Sequence, residues 1–467
     1  MKIKHKEIKS ISEIAAELNT DAYLVGGYVR DTVLGIECTD IDIMVIGDAI
    51  SFAEETAKHF KKELSAVYKN FGTALLNISN LKIEFASARK ESYRRDSRKP
   101  NVELSNLTDD LSRRDFTINA LAVSLTGKSE IIDLFSGLDD LKSGIIRTPL
   151  DPEKTFDDDP LRMLRAVRFA SKFNFSIEEN TFKALAKYRD RLKDKIVSQE
   201  RISNEFLQIL ESRVPSTGLN LLFLTGLMDI VFPEVSNLAG VEQRKDYHHK
   251  DVFYHTLEVV DNTARKTGNV WLRFAALVHD IAKPKTKRFA EGTGWTFHGH
   301  EELGARMMKK IFERMKLPFT RLEYVQKLVR LHLRPIPLAS DDVTDSAIRR
   351  LAADAGEDLE DLLLLCRADI TSKNPDKMKK FMNNYDRVEK KIIEVQEKDK
   401  LRNFQSPVRG EEIMEICNLN PSKTVGTIKK AIEEAILDGI IPNDYDEAKK
   451  YLFKIKDGIL KGAEGRK

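Results

Sequence analysis

The stretch "YLVGGYVRDTVLG" (Tyr23–Gly35), with "DIDIMVIG" (Asp40–Gly47) after it, decides the fold of the first part of this chain. The run "YLV" is typical of a strand, and "YVRDTVL" has a helical pattern. Gly26 and Gly27 therefore mark a tight strand-to-helix turn at the positive end of a helix. Such a turn suits a phosphate group, and Arg30 adds guanidinium donors one turn later. The glycines alone would fit a purely structural turn as well.

Two aspartates stand in the strand that follows. Asp40 and Asp42 are two residues apart, so their carboxylates lie on one side of the strand, while Ile41 and Ile43 point into a core. Converging carboxylates repel each other unless a cation lies between them. Surface alternation would explain two polar residues but not two aspartates. A third strand, "KIEFA", offers Glu84 as a further carboxylate. Hard oxygen ligands beside phosphates indicate Mg²⁺, and two such ions would promote an in-line displacement of pyrophosphate.

Length and composition limit the class of protein. A chain of 467 residues predicts three or more domains at about 100 to 200 residues each. The chain is 41% hydrophobic, yet no apolar run approaches the ~18 residues of a membrane helix, and the charged N-terminus has no signal-peptide core. We therefore expect a globular cytoplasmic protein without a membrane partner. Three dispersed cysteines predict reduced thiols, and a net charge of +3 means that nucleic-acid affinity would come from local basic patches.

The order of patterns predicts an α+β fold. From Ala22 to Asp133, β-rich runs alternate with helical patterns, including "LSRRDFTINALAVSL" (Leu111–Leu125), and the segment from Arg89 to Pro100 is predicted to be a flexible loop. Amphipathic helices then follow almost without interruption. The prediction is a head with a small mixed β-sheet, followed by an all-α neck, a helical domain and a helical tail.

The "GGYVRD…DIDIMV" motif resembles the nucleotidyltransferase signature of the polymerase-β-like superfamily, in its tRNA nucleotidyltransferase and bacterial poly(A) polymerase branch. Four later segments extend the resemblance in the family's order through roughly the first half of the chain. They are similar to its ribose-recognising helix, its hinge between head and neck, its nucleobase-selecting helix and its neck helix: "RRDFTINALA" (113–122), "DLFSGLDDL" (133–141), "DDPLRMLRAVRFA" (158–170) and "ERISNEF" (200–206).

This resemblance implies roles for individual residues of the head. Asp40 and Asp42 would hold catalytic Mg²⁺, with Glu84 as a third catalytic candidate. Triphosphate and the incoming nucleotide would be bound by the turn and by charged residues after it, namely Gly26, Gly27, Arg30, Arg114 and Asp115. ATP and CTP are the implied substrates, and tRNA is the implied partner.

The segment "DDPLR" offers a way to select the base. Asp159 and Arg162 are three residues apart and so share one helix face, where they present an acceptor and several donors. Cytosine and adenine offer an amino group beside an unprotonated ring nitrogen, whereas uracil and guanine offer a carbonyl beside an N–H. The pair would therefore accept C and A. The alternative is that Asp159 is only a helix cap before Pro160 at the first helical position. The resemblance assigns the templating role and extends it to Arg165 and Arg168.

A second group of residues lies downstream. The chain has nine histidines, and several fall in helical patterns together with two aspartates: His255, His279, Asp280, His300, His332 and Asp369. This combination suits a carboxylate–imidazole metal site. The segment resembles the HD phosphohydrolase domain, which implies His255, His279, Asp280 and Asp369 as ligands and His300 and His332 as ligands of a second metal. The ion would be divalent, such as Mn²⁺, Fe²⁺, Ni²⁺ or Mg²⁺, and we expect metal binding here rather than catalysis.

These interpretations predict five segments: the nucleotidyltransferase head (1–148), the neck (149–214), a body or connector (215–245), the HD domain (246–375) and a tail (376–467). The tail carries Lys429 and Lys430 after a glycine turn, which suits tRNA phosphates or a plain helical hairpin equally. The predicted activity is ATP(CTP):tRNA nucleotidyl transfer that builds or repairs the 3′-terminal CCA. A poly(A) polymerase or A-adding enzyme, an HD phosphohydrolase acting on RNA ends or nucleotides, and a non-catalytic RNA-binding protein remain open. No protein partner is implied.

Overall fold

The computed structural model describes residues 5–464, except 95–96, 128–129, 195, 242–250, 292–293, 340–342, 372–373, 403–405 and 438–439. The chain forms two compact units, Met1–Ile336 with Ala355–Asn383, and Pro337–Asp354 with Asn384–Lys467. The predicted boundary at 245 and 246 falls outside the described residues, and the five-segment division stays a prediction. No helix in the described part of the chain is both long enough and apolar enough to cross a bilayer.

A seven-stranded sheet in the order β3-β4-β5-β2-β1-β8-β9 forms the head of the first unit. Within it β2 and β5 run parallel, and the other neighbours run antiparallel. A separate hairpin pairs β6 with β7. The strands are β1 Ala22–Val25, β2 Asp40–Val45, β3 Ala66–Tyr68, β4 Thr73–Ile78, β5 Leu81–Ser87, β6 Arg89–Arg94, β7 Ser97–Leu104, β8 Leu121–Ser124 and β9 Ile131–Asp133.

Helices cover this sheet and complete its core. The aromatic side chain of Phe52 on α3 meets Phe85 of β5, with ring centroids 5.7 Å apart. Asp48 caps α3 by accepting hydrogen bonds from the backbone N–H groups of the first turn. The helices are α1 Lys6–Glu17, α2 Gly27–Val33, α3 Ala49–His59, α4 Leu107–Ser112 and α5 Gly137–Ser143, with 3₁₀ turns at Lys69–Phe71 and Thr117–Asn119.

Two sequence predictions for the head are wrong. The segment Leu111–Leu125 is not one helix: α4 ends at Ser112, and β8 pairs with β1 and β9. Leu121, Ala122 and Val123 are all fully buried, and an apolar run of this kind fits a buried strand as well as a helix. The predicted flexible loop is instead the β6–β7 hairpin, apart from residues 95–96, which lie outside the described part.

The rest of the first unit is mainly helical, as predicted. Two short strand pairs, β10·β11 and β12·β13, interrupt the helices where none was predicted. The elements are α6 Pro152–Asp158, α7 Leu161–Phe173, α8 Glu179–Tyr188, α9 Gln199–Leu210, α10 Pro215–Leu224, α11 Met228–Val231, α12 Pro233–Ser236, α13 Val252–Ala264, α14 Val270–Val278, α15 Lys283–Thr286, α16 His300–Met315, α17 Leu322–Leu331, α19 Leu359–Asp369, β10 Ile145–Ile146, β11 Ser176–Ile177, β12 Arg288–Ala290 and β13 Gly294–Thr296, with 3₁₀ turns at Arg189–Asp194, Phe319–Arg321 and Gly356–Asp358.

The second unit has its own hydrophobic core. Ile413, Ile428, Ile432 and Leu452 are fully buried against one another. Its elements are α18 Asp345–Ala355, α21 Gly410–Cys417, α22 Lys423–Leu437, α23 Tyr445–Glu464 and a 3₁₀ turn at Pro337–Ala339, while α20 Pro375–Arg402 crosses from the first unit into the second. The prediction that the tail is helical is therefore confirmed.

Candidate functional site

The strand-to-helix turn brings together three predicted site residues. Gly26 has a φ of +68°, and a Cβ built on it would lie 2.7 Å from Nη1 of Arg114 and 3.2 Å from Oδ2 of Asp42. A Cβ at this position would crowd the Arg114 guanidinium and the Asp42 carboxylate, and the positive φ itself favours glycine. The turn, the arginine and the aspartate thus meet at one point, although nearly ninety residues separate Gly26 from Arg114 in the chain.

The predicted metal-binding carboxylates lie on neighbouring strands. Ile41 and Ile43 are 1% exposed, so Asp40 and Asp42 share the opposite face of β2, as predicted. Asp42 pairs in register with Glu84 of β5, which places the two carboxylates side by side. Burial, together with the charge of Asp40, raises the pKa of Asp42, although Arg114 opposes the shift. Burial and Asp42 raise the pKa of Glu84.

These carboxylates border an open cleft of about 400 Å³. Its lining includes Asp42, Glu84, Arg113 and Arg114, so acidic and basic groups face the same space. The three oxygens of Asp40, Asp42 and Glu84 are not among the described three-ligand groups whose atoms lie within 4.8 Å of one another.

Arg114 is held in place by Asp110, a residue that the sequence analysis missed. The Asp110 carboxylate is 1% exposed and accepts hydrogen bonds from Arg114 at 3.0 Å and from Arg113 at 2.6 Å. Burial raises the pKa of Asp110, but Arg114 and Arg113 more than offset this effect and lower it. The available signal was the spacing of three and four residues from Asp110 on α4 to Arg113 and Arg114, just beyond the end of that helix. The Nε atom of Arg114 has no hydrogen-bond partner within the described residues.

Arg30 is more constrained than its predicted phosphate contact suggests. Its guanidinium donates to Asp31 at 2.7 Å and to Asn119 at 2.6 Å, and it lies 5.1 Å from the centroid of the Phe169 ring on α7. Its Nη2 atom still faces the turn, 3.5 Å from the position of a Cβ built on Gly27. Arg30 therefore joins the head to the neck helix, and one of its donors remains near the predicted phosphate position.

Asp115 is the centre of a buried network with α7. It accepts hydrogen bonds from Asn119 at 2.8 Å and forms an ion pair with Arg165 at 2.6 Å. Burial alone would raise the pKa of Asp115, but Arg165 and the Asn119 hydrogen bond lower it to about 2. Arg168 instead pairs with Glu205 of α9 at 2.6 Å. Glu205 was not predicted, although it lies within the "ERISNEF" motif.

The two predicted base-selecting residues stand at the start of α7. Asp159 is 7% exposed, and its Oδ1 atom accepts a hydrogen bond from the backbone N–H of Leu161 at 3.1 Å. The capping contact is therefore present, and the helix begins one residue after Pro160. Arg162 donates from Nη2 to the backbone carbonyl of Arg113 at 2.7 Å. This contact directs the Arg162 side chain toward the segment that carries Arg114.

The second group of predicted ligands gathers into one buried cluster. The ligand atoms of His255, His279 and Asp369 lie within 4.8 Å of one another, and so do those of Asp280, His300 and His332. Asp280 joins the two groups, because its Oδ2 atom is 3.2 Å from His279 Nε2 and its Oδ1 atom is 3.2 Å from His300 Nε2.

Most of these ligands stand at helix ends rather than inside helices, which corrects the sequence prediction. His279 follows α14, His332 follows α17, His300 opens α16 and Asp369 ends α19, while His255 lies within α13. A residue at a helix end can turn its side chain along the helix axis. Helices from distant parts of the sequence can therefore direct their ends at one point.

The histidine tautomers are fixed by backbone carbonyls. The Nδ1 atoms of His279, His300 and His332 lie 2.7 to 2.8 Å from the carbonyl oxygens three residues earlier, so each Nδ1 donates its proton. In a neutral imidazole, Nε2 then carries a lone pair that faces the cluster. All three Nε2 atoms are buried without hydrogen-bond partners among the described residues, whereas Oδ2 of Asp280 lies 2.6 Å from Nζ of Lys283.

Electrostatics within the cluster are strong. Burial lowers the pKa of a histidine, but the charges of Asp280 and Asp369 raise the pKa of His279 to about 10. Burial and the nearby His279 lower the pKa of His332 to about 4. Lys283, which the sequence analysis missed, forms an ion pair with Asp280 at 2.6 Å. Positive charge thus already compensates the two buried aspartates.

Comparisons with known proteins agree with this arrangement. Residues 22–147 match a family model described as "Poly A polymerase head domain", residues 174–238 match "Probable RNA and SrmB- binding site of polymerase A", and residues 252–374 match "HD domain". An A-adding tRNA nucleotidyltransferase of Deinococcus radiodurans is 32% identical over 71% of this chain and 75% of its own length. A multifunctional CCA protein of Neisseria meningitidis is 34% identical over 67% of this chain and 72% of its own length.

Solved structures show the same likeness. A crystal structure of a tRNA nucleotidyltransferase complexed with a primer tRNA and an incoming ATP analog superposes with a TM-score of 0.58 at 27% identity, covering 81% of this chain and 99% of that chain. The family models cover the turn and the carboxylates of the head (22–147) and the histidine cluster (252–374) in one order along the chain. With these relatives aligned over most of their length, the chain belongs to the family of tRNA nucleotidyltransferases and is itself a nucleotidyltransferase.

Proposed function

We propose that this enzyme adds C and A to the 3′ end of tRNA, using CTP and ATP, and so completes the CCA sequence. The observation that carries the proposal is the convergence of Gly26, Asp42 and Arg114 at the cleft. Backbone amides at a helix N-terminus and an arginine with an unpartnered Nε suit a triphosphate. The neighbouring carboxylates suit divalent cations.

The donor set of the head fits Mg²⁺. Asp40 and Asp42 would hold the ions, because burial has raised the pKa of Asp42 and a cation would relieve its repulsion from Asp40. When bound, Mg²⁺ supplies activation of the attacking 3′-hydroxyl and charge stabilisation of the leaving pyrophosphate. The chain itself orients the triphosphate through the turn and Arg114, which Asp110 holds rigidly.

Base selection is proposed to depend on Asp159 and Arg162. Arg165 and Arg168 were predicted to share this role, but their guanidinium groups already pair with Asp115 and Glu205. We therefore assign Arg165 and Arg168 as positioning residues that fix α7 against the head and the next neck helix. The position of Arg162 beside the segment of Arg114 supports a pocket in which base and triphosphate are read together.

The test is nucleotide incorporation on two RNA substrates with purified full-length protein and Mg²⁺. A tRNA ending at its discriminator base should receive two C and one A when CTP and ATP are both present, and two C when only CTP is present. A tRNA already ending in CC should receive one A. Activity on the CC end alone would assign an A-adding enzyme instead, and a long run of A on either substrate would assign a poly(A) polymerase.

The histidine cluster supports a second candidate function, a metal-dependent phosphohydrolase centre. The observation that favours it is the set of three buried Nε2 atoms without hydrogen-bond partners among the described residues, which costs free energy unless a ligand occupies the space between them. Imidazole and carboxylate ligands suit Mn²⁺, Fe²⁺ or Ni²⁺, and the bridging position of Asp280 suits two ions. When bound, such ions supply a water activated for attack on a phosphoester.

Elemental analysis of the purified protein tests this centre. We expect divalent metal in the wild type and its loss in the variant with both His279→Ala and Asp280→Ala, while CCA addition is retained. His298→Ala is the matched control, because His298 is an exposed histidine of the same region. Equal metal content in the double variant and the wild type would refute the assignment.

A further inference from the structure

The β12–β13 hairpin stands in the chain between Asp280 and His300, two members of the histidine cluster. It exposes two large aromatic rings, Phe289 at 68% and Trp295 at 38%. The rings contact each other edge to face, with centroids 5.4 Å apart. Single exposed apolar residues are ordinary, but a pair of adjacent exposed rings on a short hairpin contributes nothing to a core.

Lysines accompany these aromatic residues. The Lys287 Nζ atom lies 4.5 Å from the centroid of Trp295, and the Lys283 Nζ atom lies 5.6 Å from the centroid of Phe297. Trp295 lies on β13 opposite Phe289, and Phe297 follows directly after that strand. A row of aromatic rings with cations over them is the arrangement that binds nucleobases by stacking and their phosphates by charge.

Two contacts connect this row to the cluster. Lys283 also pairs with Asp280 at 2.6 Å, so its ammonium group stands between an aromatic ring and a predicted metal ligand. The backbone carbonyl of Phe297 accepts the Nδ1 proton of His300 at 2.7 Å. The aromatic row therefore ends at the cluster, and a nucleotide stacked on the hairpin would place its phosphate beside Lys283.

We propose that the β12–β13 hairpin is a nucleobase-binding platform that serves the histidine–aspartate cluster. Its ligand is a ribonucleoside phosphate, either free or at the end of a single-stranded RNA. Phe289 and Trp295 stack on the base, and Lys287 and Lys283 neutralise the phosphate. Asp280 would hold the metal ion of the cluster, whose positive charge the Lys283 ammonium group partly supplies in this structure. This inference rests on the metal-binding function proposed for the cluster.

Tryptophan fluorescence tests the platform without depending on catalysis. The chain has two tryptophans, and Trp271 packs between Phe274 and Phe312, so Trp271→Phe leaves Trp295 as the sole emitter. Nucleotide bound in the head cleft meets no tryptophan, because that cleft is lined by none. Subtracting the emission of Trp295→Phe from that of the wild type isolates the emission of Trp295 in a protein whose Trp271 is unchanged.

The probes are AMP, a short oligoadenylate and ribose 5-phosphate. Saturable quenching by AMP but not by ribose 5-phosphate is the expected result. Tighter binding of the oligoadenylate than of AMP would assign an RNA end, and equal binding would assign a free nucleotide. Phe289→Ala should raise the Kd by about 5- to 150-fold, the range for loss of one base stack. Phe319→Ala, also exposed and in the same helical region, is the control and should leave the Kd unchanged.

The same samples are assayed for bound metal and for CCA addition. Absence of quenching in metal-loaded protein would overturn the platform and leave the metal centre standing. Quenching retained in protein that binds no metal would overturn the metal centre alone. Equal quenching by ribose 5-phosphate would show that only the phosphate is held, and base recognition would be refuted.

Discussion

The two roles of Asp159 are separable by substitution, because capping and base reading need different atoms. Asp159→Ala removes the acceptor for the Leu161 N–H at 3.1 Å and should cost about 1 kcal/mol of unfolding free energy. In domains of about 150 to 250 residues, a loss of this size lowers the melting temperature by about 2 to 4 °C. Asp159→Asn keeps a side-chain oxygen of the same reach, and asparagine caps helices as well as aspartate, so its melting temperature should equal that of the wild type.

The two substitutions should affect nucleotide incorporation in a different way from the melting temperature. If Asp159 accepts the amino proton of cytosine or adenine, either change removes a hydrogen bond to a charged group, worth about 1.5 to 3 kcal/mol. The kcat/KM for CTP and ATP should then fall by about 10- to 150-fold in both variants. Asp159→Asn also adds an N–H group that would donate a hydrogen bond to the carbonyl of uracil or guanine, so its ratio of UTP to CTP incorporation should rise.

The assay is single-nucleotide incorporation of CTP, ATP, UTP and GTP, with thermal melts of the same preparations. Arg162→Lys is the companion variant and should lose discrimination too, because an ammonium cannot reproduce the planar donor fork of a guanidinium. Wild-type incorporation ratios for Asp159→Asn, together with a lowered melting temperature for Asp159→Ala, would show that Asp159 is only a cap. The base would then be selected elsewhere.

Three further predictions concern other parts of the chain. Asp42→Asn should abolish nucleotide incorporation without lowering the melting temperature or tRNA affinity, because it removes a carboxylate that burial and Asp40 already destabilise. Asp115→Asn should lower the free energy of unfolding by about 2 kcal/mol at pH 7, because the pKa of Asp115 is lowered to about 2 in the folded protein. Denaturant titrations should show this difference between variant and wild type above about pH 4, and the difference should disappear as the pH falls toward 2. Lys429→Glu with Lys430→Glu should weaken tRNA binding and reduce its salt slope by about 2, measured by filter binding at several salt concentrations; an unchanged slope would show that RNA binds elsewhere.

Much of the head was predictable from local sequence. The turn at Gly26, the alternation of β2 and the family resemblance depend on residues close together in the chain, and the structure confirms the strands and the turn. The position of Glu84 beside Asp42 was also predicted correctly, because the alternation of polar and apolar residues along its strand indicated which face of the sheet its side chain occupies. Short-range periodicity is sufficient when the strands are half-buried and the pattern is strict.

Other features depended on contacts between distant segments. The strand β8 was predicted as a helix, because Leu121 to Val123 are buried on both faces and so show no alternation. The partners of Arg165 and Arg168 are 50 and 37 residues away in the chain, and no spacing rule pairs them. The family resemblance implied base contacts for these arginines, and only the fold shows that they already have carboxylate partners.

The network around Asp115 explains why Arg162 differs from its neighbours on α7. Arg30 donates to the Asn119 oxygen, the Asn119 amide donates to Asp115, and Asp115 pairs with Arg165, so every polar end in this buried chain has a partner. Removing one member of such a buried chain would leave a buried charge uncompensated, as in the destabilisation predicted for Asp115→Asn. These residues therefore serve to hold α7 against the head. Among the described residues, Arg162 donates a hydrogen bond to the backbone carbonyl of Arg113, and a base can replace that contact without leaving a buried carboxylate unpaired.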